Sequence, residues 1–171
     1  NASRTQAYEA GFNVQVSRNW AYSLALWVKD IDQLVTSKKQ RSGVYSYEVF
    51  ENGDYGSAKG IDLTLENRAQ LFNTLVQYTY SVAKANSEYA WAQIGYEAYN
   101  APSQEFLMTY DRTHDLTLSA YSSKLPYCIN AGLTGFYQSG APYTPQIPDG
   151  DKWKDDEINK NSKRSPSYKN I

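Results

Sequence analysis

The single histidine, His114, lies in the run DRTHD at residues 111–115, beside Asp111, Arg112 and Asp115. A histidine next to carboxylates can act as a base that activates a serine or another nucleophile. The alternative is a polar residue at the end of a strand, which we favour because no further catalytic motif accompanies the run. A chain with one histidine excludes metal sites built from several histidines. We expect no catalytic residues and no metal ligands.

The acidic run of residues 149–157 is a second candidate for chemistry. It contains Asp149, Asp151, Asp155, Asp156 and Glu157. Carboxylate oxygens can surround a calcium ion, but this run lacks the ligand spacing of a calcium-binding loop, and lysines interrupt it. The sequence therefore favours a solvated loop, and we expect no cofactor.

Aromatic residues mark a third candidate, in the long segment of residues 85–110. Its aromatic side chains could stack on a sugar, a peptide or a metal chelate. The alternative is that they pack the loops together, as aromatic residues in loops often do. The candidate ligand-binding residues are Tyr89, Trp91, Tyr96 and Tyr99.

Composition limits the classes of function. The chain has 171 residues, a formal net charge of −1 and 16 tyrosines against 5 phenylalanines. A nearly neutral chain shows no overall electrostatic signature of nucleic-acid binding, so we expect no nucleic-acid partner. Tyrosine has an apolar ring and a polar hydroxyl, so its surplus suits an interface with a ligand or with lipid. A lone Cys128 forms no internal disulfide and is interpreted as a small apolar residue near a turn.

Apolar and polar residues alternate with a period of two along most of the chain, which is typical of β-strands with two different faces. The clearest case is residues 111–145, two long strands joined by a tight turn at residues 124–128. The other predicted strands cover residues 6–17, 21–36, 58–68 and 71–84, and a further strand begins at residue 167. We expect one apolar face to carry Leu24, Leu26, Ile61, Leu63, Leu65, Val76, Leu116, Leu118 and Leu133.

The connections alternate between short and long. Short turns are predicted at Asn19, Arg68 and Pro126, and long segments at residues 37–57, 85–110 and 141–166. The first long segment also contains Tyr45, Tyr47 and Phe50, which could extend the sheet. In an up-and-down meander every second connection returns to the same end, so we expect the turns at one end and the long segments at the other.

Strand length favours a membrane-spanning sheet over a soluble sandwich. The predicted strands have about ten to fourteen residues, whereas ordinary strands have about 5–6 and strands that span a bilayer about 9–11. Phe72 and Tyr80 share a face about 26 Å apart along the strand, or about 20 Å vertically at a tilt of ~40°. The fold class predicted is all-β, an antiparallel up-and-down transmembrane β-barrel, with about six or seven strands of a larger barrel present.

Several short motifs resemble the late barrel strands of TonB-dependent outer-membrane receptors. They are YEAGF at residues 8–12, VKDIDQL at 28–34, NGDYG at 52–56 with KGIDL at 59–63, YTYS at 78–81 and GAPYTP at 140–145. The resemblance covers nearly all of residues 1–171, which we interpret as a fragment of a single barrel domain without its plug. Polar residues on the second face, such as Glu9, Asp62 and Gln77, are compatible with a wide or plugged lumen.

The resemblance implies a receptor in the bacterial outer membrane that takes up a scarce solute. Its partners would be outer-membrane lipid, the remaining strands and plug of the same polypeptide, the TonB energising complex acting through that plug, and a solute whose identity stays open. Two other functions are considered. One is an outer-membrane barrel with a binding, structural or surface-scaffold role, and the other is an outer-membrane barrel hydrolase.

Overall fold

The computed structural model describes residues 2–86, 105–125, 127, 129–156 and 158–171, and these residues form antiparallel β-structure without an α-helix. The strands are β1 (Arg4–Gln15), β2 (Trp20–Ser42), β3 (Tyr45–Arg68), β4 (Asn73–Ala85), β5 (Phe106–Leu107), β6 (His114–Leu125), β7 (Ile129–Gln138), β8 (Pro142–Tyr143), β9 (Gln146–Asp149), β10 (Lys152–Asp155), β11 (Lys163–Arg164) and β12 (Tyr168–Asn170). The prediction of an all-β, antiparallel fold is confirmed.

The main sheet is an up-and-down meander. Its strand order is β1-β2-β3-β4-β6-β7-β12, and the short β5 pairs with β4 beside the start of β6. Each strand pairs antiparallel with the next, as the alternation of short connections and long strands predicts. The sheet is open, because β1 and β12 are each paired on one side only within the described residues.

The prediction that residues 37–57 form a long connection is wrong. Strands β2 and β3 run through this segment, pairing from Leu34↔Asp54 to Ser42↔Tyr45. They are joined at Gly43, whose φ of +64° at the first loop position suits the tight two-residue turn of a hairpin. Tyr45, Tyr47 and Phe50 lie in β3, so the extension of the sheet that they suggested is confirmed.

The two ends of the sheet carry different connections. At one end, here called the turn edge, residues 16–19 join β1 to β2 and residues 69–72 join β3 to β4, and the Arg68 amide donates to the Asn19 carbonyl at 2.7 Å. The pair Leu125↔Ile129 brings β6 and β7 together at the same end. The opposite end of the sheet is here called the loop edge. It contains the β2–β3 hairpin and the points at which the chain leaves β4 and β7. The predicted separation is therefore confirmed for the turns at Asn19 and Arg68 and for residues 37–57 and 141–166, whereas Pro126 and most of residues 85–110 lie outside the described residues.

The segment between β7 and β12, residues 139–167, is also more regular than a polar loop. It contains the β8–β11 pair and a separate β9–β10 hairpin with Gly150 at its turn, where φ is +61°.

No helix among the described residues is long and apolar enough to cross a membrane.

Candidate functional site

The most distinctive surface of the molecule is one face of the main sheet, here called the apolar face. The strand register brings all nine residues expected on one face to that face. Leu24 pairs with Leu63, Leu26 with Ile61, and Leu65 with Val76. The same rows continue into β6 and β7 through Val76↔Leu118, Tyr78↔Leu116, Leu118↔Gly135 and Ala120↔Leu133. The expectation of one continuous apolar face is confirmed.

The apolar face is exposed rather than packed against a second layer. Leu26 is 49% exposed, Leu118 40% and Leu133 55%. Within the described residues the buried apolar side chains are those of Ala85, Met108 and Pro142. Soluble monomers rarely expose a contiguous apolar surface that extends across several strands, so this face indicates an interaction with an apolar medium or partner.

The height of the apolar face can be read along β2. Trp20, Tyr22, Leu24, Leu26 and Val28 share the face, and the next residue on it is Asp30. Eight residues of strand correspond to about 26 Å, or about 20 Å vertically at a tilt of ~40°. We refer to these five rows as the apolar band. Its aromatic residues include Phe12 and Tyr22, whose rings meet edge to face at 6.0 Å.

The opposite face is polar and is organised around Asp62. Its Oδ2 accepts a hydrogen bond from Trp27 Nε1 at 2.9 Å, and its Oδ1 accepts one from Thr79 Oγ1 at 2.7 Å. The Trp27 ring lies across Gly60, where a β-carbon would be 2.5 Å from the ring. Glycine is therefore required there for steric reasons, since any other side chain would displace the indole from Asp62.

The polar face continues across β6 and β7. Gln138 Nε2 donates to Asp115 Oδ2 at 2.8 Å, and the pairs Thr64↔Gln77 and Gln77↔Thr117 lie on the same side. Side chains of this kind need water or polar partners, so this face suits an aqueous surface or contact with another polar segment of protein.

A buried ion pair lies at the loop edge. Asp111 is 2% exposed, and its Oδ2 accepts from the Arg164 guanidinium at 2.6 Å. Its Oδ1 accepts from the Ala83 amide at 2.7 Å, and Thr113 Oγ1 donates to Oδ2 at 3.0 Å. Arg164 also donates to the Gly140 carbonyl at 3.0 Å. The carboxylate is thus fully satisfied, and it ties β11 to β4 and to the start of β6.

Asn161 makes a second attachment of the same segment. It is 3% exposed, has a φ of +53°, and its Nδ2 donates to the Leu107 carbonyl at 2.6 Å. The Lys160 ammonium lies 4.2 Å from the centre of the Phe106 ring. Together with the ion pair, these contacts fix residues 160–164 against β5. The β9–β10 hairpin, which precedes these residues in the sequence, is exposed along its whole length.

His114 is separated from the carboxylates that flank it in sequence. It lies on the apolar face opposite Tyr80, and its Nδ1 shares a hydrogen bond of 2.8 Å with Tyr78 Oη. Asp111 binds Arg164 instead, and Asp115 points to the opposite face, where it binds Gln138. Among the described residues His114 therefore has no carboxylate partner, and it is the first residue of β6.

The acidic run of residues 149–157 is spread along the β9–β10 hairpin and the turn after it. Lys152 is opposite Asp149, and Asp155 accepts from Gln146 Nε2 at 3.2 Å. The hydrogen bond from the Asn159 side chain, 2.8 Å, holds the pKa of Asp156 below its ordinary value. The part of the chain that is described contains no group of three acidic, histidine or cysteine residues placed to hold a metal ion.

Tyr89, Trp91, Tyr96 and Tyr99 lie outside the described residues, so their role in ligand binding stays a prediction. Arg164 and Trp27 were not among the residues predicted from the sequence to form a site. Arg164 is 53 positions from Asp111 and Trp27 is 35 positions from Asp62. The sequence contains no local signal for contacts of this range, although the alternation places Trp27 on the polar face, where a donor needs an acceptor.

Comparison with known proteins found no match, since no family model, no curated protein and no solved structure is significantly similar to the chain.

Proposed function

We propose that this chain is part of the β-barrel of a TonB-dependent outer-membrane receptor, which takes up a scarce solute. The observation that carries the proposal is the exposed apolar face, backed on the same strands by a polar face. In outer-membrane barrels the apolar face contacts lipid and the polar face lines the lumen, with short turns on one side of the membrane and longer loops on the other.

The open sheet supports the same proposal. Strand β1 has twelve residues with one edge unpaired among the described residues. In lipid each unsatisfied backbone group costs several kcal/mol, so a spanning sheet must close on itself. Further strands beside β1 and β12 would complete the barrel, and the polar face with Asp62 and Gln138 would line a wide lumen that a plug could occupy.

The loop edge would face the outside of the cell in this proposal. It carries the β2–β3 hairpin, the ends of β4 and β5, and the anchored segment of residues 139–167. Tyr89, Trp91, Tyr96 and Tyr99 come between β4 and β5 in the sequence and lie outside the described residues. Solute capture there and transfer through the lumen, driven by the TonB complex, is the function that we propose.

The membrane part of the proposal is tested by a matched pair of arginine substitutions in the full-length protein. Leu63 lies in the middle row of the apolar band, and its neighbour Thr64 lies on the polar face. A charge at the bilayer midplane costs about 2–4 kcal/mol, so Leu63→Arg should reduce heat-modifiable, folded protein in the outer membrane. Thr64→Arg should leave it unchanged. A wild-type protein that is a folded, soluble monomer without detergent would refute the proposal.

The uptake part needs a separate measurement. The purified full-length receptor in detergent should bind the isolated periplasmic domain of TonB in a pull-down or by calorimetry. Insertion into the outer membrane without any such binding would refute energised uptake and would favour a barrel with a binding or scaffold role.

A further inference from the structure

Two lysines lie on the apolar face at the upper limit of the apolar band. Lys59 of β3 is opposite Val28 on one side and Val82 on the other. Lys84 of β4 is opposite Ser57, one row nearer the loop edge. Both side chains are exposed. They are diagonal neighbours on adjacent strands, so their β-carbons are about 7 Å apart.

Neither ammonium group forms an ion pair with the part of the chain that is described. Asp30 of β2 lies on the same face opposite Ser57, so it is a diagonal neighbour of Lys59 at about the same β-carbon spacing as Lys84, about 7 Å. It is separated from Lys84 by the width of β3. Two positive charges on side chains whose β-carbons are about 7 Å apart repel each other, which favours an anion between them.

The surroundings suit the boundary between lipid tails and headgroups. Tyr80, which is 39% exposed, and His114 occupy the row below Lys59. Tyrosine places its ring in the apolar region and its hydroxyl at the polar boundary, and lysine extends its stem in the same way. At the turn edge the corresponding residues of β3 and β4 on this face are the neutral Asn67 and Thr74, so on these two strands the apolar face carries lysines at one limit of the band only.

We propose that Lys59 and Lys84 bind the phosphate group of a phosphorylated lipid headgroup in the outer leaflet. This inference rests on the proposed membrane function, because the lipid tails must lie against the apolar band. The two ammonium groups contribute the charge, while Tyr80 and His114 contribute hydrogen-bonding groups one row below Lys59. Each lysine near an anionic surface should strengthen binding by about five-fold, and the pair by about 25-fold.

The test uses the full-length protein in detergent, titrated with bisphosphorylated lipid A, with fully dephosphorylated lipid A, and with inorganic phosphate. The variant Lys59→Ser/Lys84→Ser should bind the phosphorylated lipid about 25-fold more weakly than wild type. The matched control is Lys152→Ser/Lys163→Ser, which removes the same charge from exposed positions of β10 and β11. The control should bind within two-fold of wild type, and inorganic phosphate alone should not compete at equal concentration.

The proposal would be overturned if the Lys59/Lys84 variant and the control bound phosphorylated lipid A with equal affinity. It would also be overturned if the wild-type protein bound dephosphorylated lipid A as tightly as phosphorylated lipid A. Competition by inorganic phosphate at equal concentration would also overturn it, since the site would then be a free-phosphate site. These results are distinct from failure of the proposed function, because the Leu63→Arg and Thr64→Arg pair reports on membrane insertion independently of the lysines.

Discussion

Replacement of Arg164 by alanine should release the segment of residues 139–167 from the sheet. The Asp111 carboxylate would remain buried, with 1% of its side chain exposed, and would lose its only cation among the described residues. Removal of one partner of a buried pair costs about 3–5 kcal/mol. We expect the lower end, about 3 kcal/mol, because the Arg164 side chain is 30% exposed and is already partly hydrated.

Hydrogen exchange on the full-length protein measures this effect locally. The Ser165 amide donates to the Ala141 carbonyl at 2.9 Å and exchanges only when the β8–β11 region opens. A loss of about 3 kcal/mol corresponds to an exchange rate more than 100-fold faster. Arg164→Lys should give an intermediate rate, because lysine keeps the charge but cannot reach Asp111 and the Gly140 carbonyl together.

The ion pair between Arg68 and Glu66 provides the control. Its N···O distance is also 2.6 Å, but its side chains are 75% and 38% exposed. Exposed pairs contribute about 0–1 kcal/mol, so Arg68→Ala should change nearby exchange rates by less than about five-fold. If Arg164→Ala and Arg68→Ala have equal effects, burial of Asp111 does not determine the strength of the attachment and the reasoning is refuted.

Two further predictions follow from single contacts. Gly60→Ala should destabilise the full-length protein by about 1–3 kcal/mol in urea unfolding, because its β-carbon would overlap the Trp27 ring, whereas Gly56→Ala, whose nearest contact is 3.5 Å, should have little effect. The hydrogen bond from the Asn159 side chain lowers the pKa of Asp156 below its ordinary value of 3.8. The stabilisation that this hydrogen bond gives the turn at residues 156–159 is therefore fully present above pH 3.8, and it is lost as the pH falls through the lowered pKa of the folded state. Asn159→Ala should move the NMR titration midpoint of Asp156 upwards, and an unchanged midpoint would contradict this origin.

The sequence alone determined the strands and the two faces of the main sheet. Successive side chains of a strand point to opposite faces whatever the strand pairs with, so the alternation along residues 22–28 and 61–65 predicts which side chains share a surface. The order of short and long connections determined the meander in the same way, because each tight turn forces neighbouring strands to pair antiparallel.

The tertiary structure decided how far the strands extend and which distant residues meet. The polar residues 37–57 resemble a loop when read locally, yet cross-strand hydrogen bonds and the turn at Gly43 allow β2 and β3 to continue. The Asp111–Arg164 pair joins residues 53 positions apart. Such a contact depends on the register of several strands and on the path of the chain between them, and local periodicity contains no information about either.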